Sequence, residues 1–378
     1  MALSLYIHIP FCLRKCNYCD FVSYAYDADL VEQYLVNLYR EMELVSDGLS
    51  GEERRLSTIF LGGGTPTSLS GQQLHNILQK TREYFIWDAG AEVTVEANPG
   101  TLDGEKLNLL RAGGVNRLSL GVQAFQPQLL QGIGRIHNTR AIYQGVELAR
   151  EAGFTNLNLD LMYGLPGQSM VDWLETLEKA LELGVEHISA YSLKLEPETP
   201  FYRQWQQGRL KPCDEDLEAD MYQAAIDRLT AGGLGHYEIS NFARPGLECR
   251  HNLTYWLLDE YLGLGPAAHS LIAGHRLANC TNLQAYLNTL ANGQRPLADQ
   301  QFITSKDEMA EFMFLGLRLI KGVQKADFTK RFGISLTQVY GPAIARLITL
   351  NLLEETSELL RLTSLGLALG NEVFEAFL

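Results

Sequence analysis

A short apolar run followed by an amphipathic segment recurs along the first part of this chain. The runs are LYIHI at 5–9, TIFLG at 58–62, EVTVEA at 92–97, RLSLGV at 117–122, NLNLDLM at 156–162 and HISAYSL at 187–193. Segments such as DLVEQYLVNLYREMELV and TRAIYQGVELAREAG lie between them with helical periodicity. Strand–helix alternation demands right-handed crossovers and therefore a parallel sheet. The repeated unit predicts an α/β fold, a partial (β/α)6 barrel of TIM-like form.

The strands carry a second pattern. Fully buried parallel strands are nearly all apolar. Here polar groups recur on one parity: Tyr6 with His8, Thr94 with Glu96, Ser119 and Gly121 with Gln123, and Asn158 with Asp160. The opposite parity holds Leu5, Ile7, Val93, Val95, Leu118, Leu120, Leu157, Leu159 and Leu161. The apolar face is expected to meet the helices and the polar face to line the interior. Unpaired buried polar groups are costly, so such a barrel is expected to hold a polar ligand.

The bulk numbers set limits. A chain of 378 residues suggests two or three units, and 46% hydrophobic residues supply a sizeable core. Lys and Arg total 31 against 45 Asp and Glu, a net charge of −14. That balance argues against a general grip on nucleic acid. No run reaches the roughly 18 apolar residues of a membrane span. The start, MALSLYIHIPF, lacks a basic n-region and cleavage site and reads as a strand. The expected location is cytoplasmic, where structural disulfides are rare. Cys213, Cys249 and Cys280 stand alone and read as buried or idle thiols.

Three parts are expected: a barrel over 1–235, an α+β barrel extension over 236–302, and a C-terminal module over 303–378. Residues 236–300 read as irregular and aromatic-rich. Beyond them, MAEFMFLGLRLI, KADFTKRFG and LTQVYGPAIARLITLNL read as helices, and LLEETSELLRLT as a hairpin. That order is winged-helix-like. Such a module often serves nucleic acid, but this one is not notably basic, which favours packing or substrate covering.

The chemistry concentrates at strand ends. FCLRKCNYCDF places Cys12, Cys16 and Cys19 as C-x3-C-x2-C just after the first strand. Three thiolates on one loop can hold three irons of a cubane cluster and leave the fourth open. A structural zinc site needs a fourth ligand nearby, for which His8 is the available group. Arg14 and Lys15 can stabilise an anionic cluster. LGGGTPTSL follows the second strand; its glycines let backbone approach a ligand, and Thr65 adds a hydroxyl. Glu96, Gln123, Arg135 and Asp160 end or follow the next strands. Each alone reads equally as a cap or a loop contact. Together they offer carboxylates for ribose hydroxyls or an amino group, and a guanidinium for a carboxylate.

C-x3-C-x2-C with Tyr18 in the last gap, followed by GGGTPT, resembles the radical S-adenosylmethionine superfamily. YIHIPFC, VEANP, RLSLGVQAF, GRIHN and DLMYGLPGQ add a resemblance to its oxygen-independent coproporphyrinogen III oxidase branch. The resemblance implies a [4Fe–4S] cluster on Cys12, Cys16 and Cys19. It implies S-adenosylmethionine contacts at Tyr6, Tyr18, Gly63, Gly64, Thr65, Glu96, Gln123, Arg135, Asp160 and Lys194. Two features depart from the oxidases. Phe21 stands where they carry a fourth cysteine, and the extension ahead of the first strand is missing. Both traits, with HNLTYW at 251–256, are similar to the heme chaperones of the same branch.

That resemblance implies heme as a third cofactor, with His251 as axial ligand and Tyr255 and Trp256 as flat faces for the macrocycle. Without it, HNLTYW reads as a loop with a histidine over core aromatics; Cys249 and His269 are alternative ligands. The expected partners are heme, heme-acceptor apoproteins such as respiratory enzymes, and a reductant such as flavodoxin or ferredoxin. A homodimer and peripheral membrane association are compatible. The rival expectation is an enzyme that cleaves S-adenosylmethionine reductively and decarboxylates porphyrinogen propionates. Phe21 and HNLTYW favour the chaperone. A redox-sensing DNA regulator rests only on the winged-helix pattern, and the charge weighs against it.

Overall fold

A computed structural model describes residues 2–378. The predicted runs form parallel strands β1 (Leu3–Ile9), β2 (Arg55–Gly63), β3 (Ile86–Ala97), β4 (Arg117–Gln123), β5 (Leu157–Tyr163) and β6 (His187–Ser192). They pair side by side in chain order. Helices α1 (Ala28–Asp47), α2 (Gly71–Tyr84), α3 (Gly104–Ala112), α4 (Thr139–Glu151) and α5 (Met170–Glu182) make the crossovers. Their starts are locally encoded: Asp27, Ser70, Asp103, Asn138 and Ser169 each accept a backbone N–H at the N-cap. This is the partial (β/α)6 barrel.

The sheet extends beyond both barrel edges. On the β6 side lie β7 (Gly235–Glu238) and β8 (Asn241–Ala243). On the β1 side lie β9 (Tyr261–Leu264), β10 (His269–Ile272), β11 (His275–Asn279) and β12 (Leu297–Phe302). The full order is β12-β11-β10-β9-β1-β2-β3-β4-β5-β6-β8-β7, one sheet of 12 strands. The irregular reading of 236–300 is therefore corrected: that segment supplies six strands. Each is only three to six residues long, too short to show a two-residue period. Between them, α6 (Arg250–Trp256) packs against β2.

The C-terminal module has its own core of Met313, Leu317, Val323, Phe328, Leu347 and neighbours. Helices α7 (Ser305–Gly316), α8 (Lys325–Phe332) and α9 (Leu336–Thr349) precede a hairpin of β14 (Leu353–Glu355) and β15 (Leu359–Leu362). A short β13 (Val323–Gln324) completes a three-stranded sheet. This is the winged-helix order. No helix among the described residues is long and apolar enough to cross a membrane.

Burial follows the parity read from the sequence. Leu5, Ile7, Val93, Val95, Leu118, Leu120, Leu157, Leu159 and Leu161 are all buried beneath the helices. Interior-facing residues keep access at one height. Tyr6 is the only residue of β1 not fully buried, Gly121 of β4, and Asp160 of β5. Glu96 is the only one in 91–97. Tyr191, on the same face of β6, keeps 39% of its surface accessible. A ring of polar and aromatic groups thus keeps partial access on the interior face of the strands.

Candidate functional site

The rim is built from the cysteine loop. Phe11–Cys12 pairs in parallel with Tyr24–Ala25 and pinches the loop's two ends together. Within it, the backbone N–H of Asn17 donates to Ile133 O at 3.0 Å, and the Asn17 side chain to Gly132 O at 2.9 Å. Lys15 Nζ donates to Phe21 O at 2.9 Å. The expected role of Lys15 beside the thiols is thus joined by a loop-closing contact. The Phe21 ring is 61% exposed. All six cysteines are free thiols.

The glycine segment runs beside this loop. Gly64 N donates to Ile9 O at 2.9 Å, and Thr65 N to Phe11 O at 2.8 Å. A Cβ on Gly64 would sit 2.7 Å from Phe11 O, and one on Gly63 (φ +110°) 2.6 Å from the His8 ring. Only glycine permits that approach. Cys12 Sγ lies 3.6 Å from Thr65 Oγ1. His8 is no spare zinc ligand: its Nε2 donates to Val22 O at 2.8 Å, and its Nδ1 meets Tyr6 OH at 3.0 Å.

Arg135 reaches over the loop, with Nη1 donating to Cys16 Sγ at 3.5 Å and Nη2 to Gly121 O. Its Nε is buried without a partner. A Cβ on Gly121 would lie 2.7 Å from Arg135 Nη2 and 3.2 Å from Gln123 Nε2. Gly121 therefore makes the room in which those two side chains meet. Gln123 has φ +70°, at a register shift between β4 and β5. That conformation is uncommon without glycine and turns the strand end at the rim. Tyr18 is partly accessible beside Arg135 and Cys16.

Burial raises the Cys12 thiol, against the Thr65 hydrogen bond, and pushes Cys19 up to about 11. Metal assembly must therefore release protons. No three metal-ligating side chains among the described residues converge on a single-ion position. The donor set suits a group larger than one ion: three thiols on one loop, glycine backbone behind, a guanidinium above.

Below the rim, Asp160 accepts from Ser119 Oγ and Asn158 Nδ2, each at 2.9 Å. Glu96 Oε2 accepts from Gly63 N at 3.1 Å. Burial, then the Asp160 carboxylate, pushes Glu96 up to about 8. The native state therefore holds a proton that the unfolded chain, near 4.5, has released. The stability tied to Glu96 is fully present below that lower value and is lost as pH rises through the upper one. Without S-adenosylmethionine, Glu96→Gln flattens this decline. Urea midpoints at about pH 6 and about pH 9 read it, at roughly 1.4 kcal/mol per pKa unit. Equal pH slopes for both proteins would show Glu96 to be normally ionised.

The floor is α6. Glu92 of β3 caps it, accepting Arg250 N and His251 N at 3.0 Å each, with the Cys249 thiol at 3.6 Å. His251 is buried, and both ring nitrogens are engaged: Nδ1 with Thr58 Oγ1 at 2.7 Å, Nε2 with Tyr255 OH at 2.9 Å. It stacks on Phe60 at 5.0 Å. Burial, then Arg117, lowers it to about 3. Trp256 points elsewhere, under Arg318 of the C-terminal module at 5.1 Å. His251 and Tyr255 thus share the barrel interior with Tyr6, whereas Trp256 belongs to the module junction. Lys194 is exposed beyond β6 and joins none of these groups. Cys249 is buried, and His269 is exposed.

Arg117 and Glu92 were not singled out by the sequence reading. Their parity with Ser119 and Thr94 was the available signal.

Comparison with known proteins fits this architecture. The radical SAM superfamily model matches residues 6–180, and the HemN C-terminal domain model matches residues 303–369. The heme chaperone HemW of Bacillus subtilis is 42% identical over 376 residues, covering 99% of each chain. The chain belongs to the HemW family of heme chaperones. HemW of Escherichia coli is 35% identical, over 100% of this chain and 98% of that one. Among solved structures, Escherichia coli coproporphyrinogen III oxidase HemN, a radical SAM enzyme, superposes with a TM-score of 0.88 at 26% identity. It covers 100% of this chain and 90% of that one. HemW family and oxidase therefore share one scaffold, and differences in side chains must separate their functions.

Proposed function

We propose that this chain binds heme and delivers it to heme-acceptor apoproteins, on a scaffold that also holds a [4Fe–4S] cluster and S-adenosylmethionine. The observation that carries the reading is the match to heme chaperones over 99–100% of the chain. Cys12, Cys16 and Cys19 would hold the cluster, which supplies an iron open to an exchangeable ligand. Arg135 suits the methionine carboxylate, Gly63, Gly64 and Thr65 the amino-acid backbone side, and Glu96 and Asp160 the hydroxyl and amino groups. Tyr6, Tyr18 and Gln123 would line the same space. Lys194 would have to swing inward.

His251, Tyr255 and Trp256 remain the proposed heme residues, with two physical requirements: Trp256 must turn from Arg318 toward the macrocycle, and His251 must free a nitrogen. His251 Nε2 must exchange the Tyr255 hydroxyl for iron, since it has no free lone pair in the present hydrogen bonding. Respiratory apoproteins, a flavodoxin- or ferredoxin-type reductant, a homodimer, peripheral membrane contact and a cytoplasmic location belong to the same reading. So does the three-part division at 235 and 302.

Heme titration of the full chain tests the ligand. His251→Ala is expected to lose the axially ligated heme spectrum while keeping cluster iron. An unchanged spectrum would transfer the role to His269 or Cys249.

A second reading, porphyrinogen oxidation, draws on the likeness to the oxidase. Phe21, in place of a fourth cysteine, stands against it.

A further inference from the structure

The barrel interior holds a cation that the groups above do not use. Arg117 opens β4 on the interior face and is 2% exposed. Its Nε has no hydrogen-bond partner. Among the described residues, no carboxylate lies within ion-pair distance of it. A buried guanidinium without an anion is expensive.

Burial opposes its charge, while Cys249, Glu92, Tyr237 and Asp160 favour it without pairing with it. Glu92 is the nearby acid on β3, but its oxygens accept the two N–H groups opening α6 and the Cys249 thiol. Asp160 and Glu96 are raised by burial against the opposing pull of Arg117, and neither forms an ion pair with it. His187 and His251 are held neutral by burial and then by Arg117 itself. Thr94 is the direct cross-strand partner of Arg117. Its hydroxyl is also fully buried and has no partner. Two adjacent orphaned polar groups therefore sit beneath the accessible ring of Tyr6, Glu96 and Asp160.

We infer that Arg117 and Thr94 form a carboxylate subsite at the inner end of the barrel, and that a heme propionate is the group it takes. This rests on the heme-carrier reading. A guanidinium fork with a hydroxyl beside it matches the two oxygens of a carboxylate. The aromatic wall of Tyr6, Phe60 and His251 lies over the same interior. A macrocycle held through His251 in that interior would bring a propionate toward the cation.

The test compares heme with heme dimethyl ester on the full-length protein. Wild type is expected to prefer heme by about tenfold or more, the range of a charge-assisted hydrogen bond. Arg117→Met is expected to erase the preference, Arg117→Lys to keep part of it, and Thr94→Val to reduce it. Cluster iron and S-adenosylmethionine affinity should stay unchanged in Thr94→Val, which guards against a folding artefact.

A wild type that binds heme and ester alike overturns the subsite alone and leaves the heme-carrier reading standing. An unchanged ester ratio with lost S-adenosylmethionine affinity in Arg117→Met would assign the cation to the methionine carboxylate and overturn the propionate. Binding of neither heme nor ester overturns both.

Discussion

Cys16→Ala is expected to leave the protein folded but unable to assemble the proposed cluster. Cys16 is one of three thiols on a single loop, and the one beneath the Arg135 guanidinium. Two remaining thiolates cannot hold three irons of a cubane. The fold should survive, because the loop is fastened elsewhere. The Phe11–Cys12 ladder with Tyr24–Ala25 closes its ends, and Asn17 ties its middle to Gly132 and Ile133. After anaerobic reconstitution, the variant should show near-zero iron and sulfide, no broad visible cluster absorption, and loss of S-adenosylmethionine binding. Its melting transition should match that of cluster-free wild type. Wild-type iron content in the variant would remove Cys16 from the ligand set.

Glu41→Ala should cost the most stability of any single change discussed here. Glu41 lies in α1, is 1% exposed, and accepts three hydrogen bonds. They come from Gly265 N at 2.8 Å, Asn279 Nδ2 at 2.6 Å and Tyr286 OH at 2.7 Å. The carboxyl thus bolts α1 to the strands added beside β1. Burial raises it, and these three donors oppose the shift. Truncation leaves buried donors unpaired at about 1–3 kcal/mol each, so a loss of roughly 3 kcal/mol or more is expected. The same joint supports the rim: a Cβ on Gly265 would lie 2.5 Å from His8 O, and Tyr34 OH donates to that oxygen at 2.7 Å. Chemical denaturation reads the loss, and Glu41→Gln should recover part of it. A change within about 0.5 kcal/mol would mean that the joint is dispensable.

These cases show what the sequence could disclose. The parallel strands were legible because each combines an apolar face toward the helices with a polar parity inside. The cysteine loop and glycine turn were legible because spacing alone carries their chemistry. Glu41 was not: an acid within an amphipathic helix reads as solvated, and its partners are more than 220 residues away. The strands after 235 were hidden by their brevity. HNLTYW was read as a motif, but its split into a buried His251 facing the barrel and a Trp256 facing the C-terminal module is purely tertiary. Arg117 was hidden for a similar reason. A strand-opening arginine ordinarily points to water, and only its burial without an anion marks it.

Heme carriage and porphyrinogen oxidation are separated by a pair of assays. The deciding measurement incubates the reconstituted protein anaerobically with reductant, S-adenosylmethionine and coproporphyrinogen III. A parallel sample, loaded with heme, is mixed with a heme-free acceptor protein. A heme carrier should give no protoporphyrinogen and no released carbon dioxide in the first, and transfer of heme to the acceptor in the second. Protoporphyrinogen formation with no heme transfer would contradict the heme-carrier reading.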